Sequence, residues 1–335
     1  MAITSKELAQ KLGISAATVS MVLNNKPGIS EATRQKVLDA AQKYGYTAPK
    51  KPVAATPSQG TICLAIYKRT GAVVSDTPFF SLLTEGISTG CQKNQFGLTI
   101  CYLYEDSNLN AQLQSIISAH YSGIILLATE MTRESLEIFR QFEAPVLILD
   151  AYFETMDLPC VLINNIQGAY VATDYLIHQR NQQPGYLASA YRISNFDERA
   201  DGYYKAIRAH NLSSSGSIVH YLAPTEKGAY QDMIKLIQSG QPLAKCYFAD
   251  NDHIAIGAIK AFRDSGLRVP EDIGIVGFDD LPLSAFLDPP LTTIHVPKQY
   301  MGESAASKLT EIIRTGDAVA TKLEIGTTLK KRKSV

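Results

Sequence analysis

Several polar residues stand directly after apolar runs that read as buried strands. Asp150 follows Val146–Leu149, Thr129 and Glu130 follow Ile124–Ala128, Asn251 follows Tyr247–Asp250, and Asp279 follows Ile275–Phe278. In α/β proteins small ligands sit at the carboxyl ends of strands, so these positions nominate a binding site. Carboxylates accept hydrogen bonds from hydroxyl groups, and amides both donate and accept. Asp250 and Asp252 flank Asn251 and are assigned to capping the helix that follows.

Catalytic strings are sparse. Gly86-Ile87-Ser88-Thr89-Gly90 matches G-x-S-x-G, which needs a strand before the serine and a sharp turn after it. Here Phe79, Phe80, Leu82, Leu83 and Ile87 follow helical spacing, which excludes Ser88 as a nucleophile. The chain has no G-x-x-x-x-G-K-[ST], G-x-G-x-x-G or H-E-x-x-H. Its six histidines form no ligand cluster, and its five cysteines are scattered without C-x-x-C spacing. The expectation is a protein that is not an enzyme, with no cofactor and no metal. Cysteine usage and the absence of an apolar leader point to a cytoplasmic chain.

The elements that must position these residues alternate. Strand runs at 61–67, 98–103, 123–127, 145–149, 161–163, 185–188, 217–219, 246–249 and 273–276 are separated by helical segments such as 78–95. Such alternation predicts parallel sheets covered by helices on both faces, and two sheets in this length predict two lobes. The 335 residues, 45% of them hydrophobic, suffice for such cores and exclude a disordered or disulfide-stapled chain.

A formal charge of zero conceals an asymmetry. Residues 1–51 carry eight basic and three acidic side chains, a net +5, and the other 284 residues carry −5. The basic head predicts a polyanion-binding module. It reads as three short helices. Thr4-Ser5-Lys6-Glu7 has capping-box form, with Leu8, Ala9 and Leu12 behind it. Gly13 turns the chain, Ser15 caps a helix from Ala16 to Leu23 with Val19, Val22 and Leu23 inward, and Ser30 caps a third with Ala32, Val37, Leu38 and Ala41 on its apolar face. Two helices joined by a tight glycine turn can place the second in a major groove, and the same spacing also fits a plain three-helix bundle.

The run ITSKELAQKLGISAATVSMVLNNKPGISEATRQKVLDAAQKYGY closely resembles the DNA-binding head of the LacI/GalR family of bacterial transcription regulators. The resemblance implies that Ala16 to Asn24 is the recognition helix, with Ala16, Ala17 and Met21 at base edges. It places Thr18, Ser20 and Asn24 at phosphates or neighbouring bases, and Thr4, Ser5 and Ser15 complete the candidate DNA face. The position of Met21 is often arginine in the family. Arginine reads guanine bidentately, whereas Met offers only apolar contact, so a weaker guanine requirement is expected there.

After Tyr46 the family's Asn-x-x-Ala-Arg-x-Leu hinge-helix pattern is missing, and Pro49, Pro52 and Pro57 oppose a continuous helix. A semi-extended tether is expected.

The body carries the resemblance further, in CYFADNDHIAIGAIKAFRDSGLRVPEDIGIVGFDD, PPLTTIHVPKQYMG, INNIQGAYVATDYL, DERADGYYKAI and the tail TLKKRKSV. It implies an effector-binding fold like that of a periplasmic sugar-binding protein, with crossovers near residues 160, 290 and 321. The expected fold class is an N-terminal all-α helix-turn-helix head plus an α/β two-lobed, periplasmic-binding-protein-like effector domain. The domains are expected at 1–48 (head), 49–59 (Pro-rich linker) and 60–335 (effector and dimerisation). One lobe would span 60–160 and 291–320, the other 161–290 and 321–335. The resemblance strengthens Asp150, Asn251 and Asp279 and adds Arg199, which matches the family's R-x-x-G. Phe79, Tyr191 and Phe196 are candidate stacking rings, and Glu130 completes the set. Acidic, amide and arginine groups beside aromatic rings suit a sugar, or else a nucleoside or purine.

The implied function is a cytoplasmic, homodimeric transcription regulator of repressor type. It would bind palindromic operator DNA under control of a small effector and have no membrane partner. The competing reading is a transport-type ligand-binding protein without a regulatory role. The basic head and the missing export signal argue against it.

Overall fold

The structure is a computed structural model that describes residues 5–23, 29–44, 59–74, 78–317 and 319–335. It divides into two compact units, Met1–Ser58 and Gln59–Val335. Thr4, Asn24 and residues 49–58 of the Pro-rich linker lie outside the described residues.

The first unit contains α1 (Ser5–Leu12), α2 (Ala16–Leu23) and α3 (Glu31–Lys43). Ser15 caps α2: the Thr18 amide donates to its Oγ at 3.0 Å, and the two hydroxyls lie 2.8 Å apart. Ser30 meets Thr33 in the same way at the start of α3. Leu8, Ala9, Val19, Val22, Val37, Ala40 and Ala41 form the core. Leu38 is 43% exposed, because the buried stripe of α3 runs through Val37, Ala40 and Ala41.

The second unit opens with β1 (Thr61–Lys68), α4 (Pro78–Lys93), β2 (Gly97–Tyr104), α5 (Leu109–Ser118), β3 (Gly123–Leu127), α6 (Arg133–Glu137), β4 (Val146–Leu149) and β5 (Cys160–Ile163). It continues with α7 (Asn165–Arg180), β6 (Gly185–Ser189), α8 (Ser194–Ala209), β7 (Val219–Leu222), α9 (Glu226–Gln238), β8 (Cys246–Ala249), α10 (Asp252–Asp264) and β9 (Gly274–Asp279). β10 (Thr292–His295), α11 (Lys298–Thr315), β11 (Lys322–Ile325) and β12 (Thr328–Lys330) complete it.

Two six-stranded sheets result, ordered β11-β5-β4-β3-β1-β2 and β12-β10-β9-β8-β6-β7. All pairings are parallel except β10 with β12. Both faces of each sheet are covered, which is why the central strands read as unbroken apolar runs. Along β1, Ile62, Leu64 and Ile66 face one core while Cys63, Ala65 and Tyr67 face the other.

Sheet membership moves the lobe boundaries. β5 was expected to open the second lobe, but it pairs with β4 and β11 in the first sheet. The chain therefore crosses after Ile163, after His295 and after Ile325, each a few residues later than expected. A strand must complete its ladder before the chain leaves its sheet; residue 160 only opens the ladder of β5, and residues 290 and 321 precede those of β10 and β11. The strand expected at 217–219 forms at Val219–Leu222.

The G-x-S-x-G string lies inside α4, as its spacing predicted, with Ser88 exposed. Its glycines serve packing. A Cβ on Gly86 would stand 2.1 Å from the Gln299 carbonyl, and one on Gly302 would stand 2.2 Å from the Leu83 carbonyl, so α4 and α11 touch backbone to backbone.

Candidate functional site

The N-terminal turns of α4, α8 and α10 and the ends of β4, β5 and β9 converge on a cavity between the two lobes. Its polar lining is Thr129, Asp150, Asn195, Arg199, Asn251, His253 and Asp279, and its apolar lining includes Val73, Phe79, Phe80, Ile193, Phe196 and Leu281.

Asp150 ends β4 with φ 63°, a left-handed conformation that Asp tolerates better than most residues. Thr129 Oγ1 donates to its Oδ2 at 2.7 Å, and Asn195 Nδ2 donates to its Oδ1 at 3.0 Å. The second bond joins the lobes, since Asn195 belongs to α8. Burial pushes the Asp150 carboxyl up to about 6, against the pull of the Thr129 bond and the Arg199 charge.

Arg199 is buried and fully oriented. Nε donates to Asn165 Oδ1 at 2.9 Å, Nη1 donates to the Asp250 carbonyl, and Nη2 donates to Asp279 Oδ1 at 3.3 Å. Its guanidinium lies 3.7 Å from the centroid of the Phe278 ring, a desolvated cation–π contact worth about 2 kcal/mol. Three of its five N–H groups have partners among the described residues. Burial also raises the Asp279 carboxyl, with Arg199 opposing.

Asn251, Phe79 and Phe196 line the cavity as expected. Asn251 has a second task that corrects the capping assignment: its Oδ1 accepts from the Ile254 amide at 2.8 Å, so it is the N-cap of α10. The neighbouring carboxylates are internal braces. Asp250 accepts from the Tyr186 hydroxyl and from the Ser189 amide at 2.6 Å. Asp252 accepts from the Leu281 amide at 2.8 Å, Ser284 Oγ at 2.6 Å and Thr293 Oγ1 at 2.5 Å. Burial pushes both up to about 7.

Two expected ligand groups stand elsewhere. Glu130 is wholly buried, and its carboxylate accepts five backbone amides at 2.7–3.0 Å, those of Arg69, Thr70 and Gly71 on Oε2 and of Val73 and Val74 on Oε1. Burial alone would raise its pKa, but the amides of Val74, Thr70, Val73 and Gly71 hold it below the usual value. It shapes the loop that brings Val73 to the cavity. Tyr191 stacks under Arg69, whose Nε donates to its hydroxyl at 2.7 Å and whose Nη2 donates to the Arg192 carbonyl at 3.1 Å. The two residues latch one lobe to the other.

Sequence reasoning missed Asn195, His253, Phe80 and Ile193. Asn195 and Ile193 lie within six residues of Arg199, and His253 lies two after Asn251, so proximity to the named residues was the available signal. The histidines also need correction. His178 and His210, 32 positions apart, meet around Asp174.

In the head, Ser15 and Thr18 form the cap of α2, and Met21 is half-buried on that helix. Ser5, Ala16, Ala17 and Ser20 lie on α1 and α2.

A helix-turn-helix head and a two-lobed unit closing on a polar, aromatic-flanked cavity define a DNA-binding protein with a small-molecule domain. Residues 4–48 match the family model for bacterial regulatory proteins of the lacI family, and residues 173–335 match a periplasmic binding protein-like domain. The chain is 30% identical over 337 residues to the HTH-type transcriptional repressor PurR of Mannheimia succiniciproducens, covering 99% of this chain and 98% of that one. Its fold is similar to a transcriptional regulator CelR–cellobiose complex (TM-score 0.75, 23% identity, 99% of this chain and 100% of that one). It is also similar to the lac repressor dimer bound to operator and the anti-inducer ONPF (TM-score 0.70, 22% identity, 100% and 99%). The chain belongs to the LacI family of bacterial regulatory proteins. It is a DNA-binding transcription regulator of repressor type with an effector domain, and not an enzyme.

Proposed function

We propose that the effector is a neutral, polyhydroxylated ring compound, a sugar. It would be held by Asp150, Arg199, Asn251 and Asp279 between Phe79 and Phe196. The carrying observation is Arg199 in the cavity lining, with a carboxylate on either lobe beside it. Adjacent hydroxyls match that alternation of donors and acceptors. A phosphorylated ligand is disfavoured. Lys298 Nζ donates to the carbonyls of Asp279, Asp280 and Val296 and covers Phe79, so its charge is already engaged. A purine or nucleoside is the second reading, favoured by the three rings Phe79, Phe80 and Phe196.

The protein acts as a homodimer on a twofold operator in the cytoplasm. Support for pairing comes from exposed apolar groups on the edge strand β2 (Ile100, Tyr102, Tyr104) and in the turn at Leu283 and Phe286, the latter 84% exposed. No helix among the described residues is long and apolar enough to cross a membrane. Ala16, Ala17 and Met21 read base edges, and Thr4, Ser5, Ser15, Thr18, Ser20 and Asn24 contact phosphates or neighbouring bases. Operator release or capture follows lobe closure.

The test is selection of bound genomic fragments by the purified full-length chain, with and without panels of sugars and nucleosides. An inverted repeat whose retention changes with a sugar is expected. A response to nucleosides alone installs the second reading, and no enrichment under any condition overturns the operator reading.

A further inference from the structure

One side-chain cluster lies apart from the pocket. Asp174 and His178 stand one turn apart on α7, and His210 follows the last turn of α8. His210 Nε2 is 2.8 Å from Asp174 Oδ1, and His178 Nδ1 is 3.5 Å from Asp174 Oδ2. The two imidazoles meet edge to face with centroids 5.0 Å apart. One ligand atom from each of the three residues lies within 4.8 Å of the others.

We propose that Asp174, His178 and His210 form a binding site for a divalent transition-metal cation of the zinc class. Two imidazoles and a carboxylate are the borderline donors that such ions select, whereas an all-oxygen set would suit calcium or magnesium. Metal–ligand bonds of about 2.0–2.2 Å in a tetrahedron put ligand atoms roughly 3.3 Å apart. The Asp174–His210 pair already spans nearly that distance, and a side-chain rotation of His178 closes the third edge. His178 has 61% of its side chain exposed, so the ion has an entry path, and three protein ligands leave a fourth position open. His178 Nδ1 also lies 2.9 Å from the Asp174 carbonyl oxygen, a contact it gives up when that nitrogen turns to the ion.

The placement gives the site a consequence. The first two turns of α7 and α8 hold Asn165, Asn195, Phe196 and Arg199, the residues that build and brace the pocket. A cation at the far ends pins the same two helices together, roughly 15–20 Å along their axes from the pocket. It stabilises the second lobe by binding the folded chain alone.

The test is titration of the chelator-treated full-length chain with Zn²⁺ against a chromophoric zinc indicator, together with Co²⁺ absorption spectra. One tight equivalent is expected, with cobalt d–d bands and no thiolate charge-transfer band. His178→Gln and His210→Gln are each expected to weaken it at least about tenfold. Zn²⁺ should raise the melting temperature of the native chain and leave that of the variants unchanged. His178 is exposed, so the metal-free His178→Gln chain should melt as the native chain does. Equal affinity in native and variant chains, a thiolate band from the five cysteines, or no binding at micromolar Zn²⁺ overturns the proposal. The last result leaves the cluster as an ion pair between helices.

Discussion

Counting along either sheet, the third strand ends in an aspartate with positive φ: Asp150 after β4 at 63° and Asp279 closing β9 at 106°. The fourth strand of each sheet, β3 or β8, leads into a carboxylate as well, Glu130 or Asp250. The two lobes thus repeat one plan, and within each the neighbouring carboxylates divide the work. Asp150 and Asp279 line the cavity. Glu130 and Asp250 turn into the protein and collect backbone amides or a buried hydroxyl. In the first lobe the difference lies in the partners. A carboxylate that accepts five amides is a loop organiser, and its pKa is lowered. One held by two side chains in a buried cavity is raised and keeps lone pairs for a ligand.

The sharpest break of that contrast is Glu130→Gln. It replaces one acceptor oxygen by a donor and leaves buried amides of residues 69–74 without a partner. A loss of about 3–5 kcal/mol in denaturant unfolding is expected, since each unsatisfied buried donor costs ~1–3 kcal/mol. A chain of native stability would show that the loop does not depend on Glu130.

Next in size is Arg199→Lys. The charge remains, but the fork to Asn165, the Asp250 carbonyl and Asp279 is lost. Effector affinity measured by calorimetry should fall by roughly 2–5 kcal/mol, the range for truncating a buried charge pair. Unchanged affinity would place the ligand away from Arg199.

Asp150→Asn sharpens the comparison through pH. With its carboxyl raised to about 6, Asp150 ionises as the pH climbs from 5 to 7, and the ionised form is the better acceptor of ligand hydroxyls. Effector affinity in the native chain should rise over that window and become flat in the variant. Stability runs the other way. The raised groups Asp150, Asp250 and Asp252 contribute fully below about pH 4, and that contribution is lost as the pH rises through about 6 to 7. Glu130, held low, contributes above its ordinary value and loses that contribution on acidification. A pH-dependent affinity that survives Asp150→Asn would assign the effect to another group.

The smallest effect is expected for Arg69→Ala. It removes the latch to Tyr191 and Arg192 but no cavity wall. A fall of about three- to tenfold in effector affinity, carried by faster dissociation in stopped-flow measurements, would follow from a less favoured closed state. No change in dissociation rate would deny the latch a part in closure.

Residue order alone determined much of this protein. The alternation of apolar runs with helical spacing defined two parallel sheets, because strands covered on both faces must be apolar throughout. The capping serines and glycine turn of the head were legible, since helix ends are satisfied within a few residues of sequence. Asp150, Asp279 and Asn251 were legible as strand ends, and Arg199 through the resemblance of its motif. The tertiary structure alone decided the rest. Sheet membership, and so the crossovers after Ile163, His295 and Ile325, depends on which ladder a strand joins. Glu130 and Tyr191 carried the right chemistry in the right region. Their removal from the ligand set turned on backbone amides up to 61 residues away in one case and on a guanidinium 122 residues away in the other. His178 and His210 looked unrelated until α7 and α8 packed side by side. Local signals write the ends of elements, whereas the partners of a buried charge are chosen by packing between them.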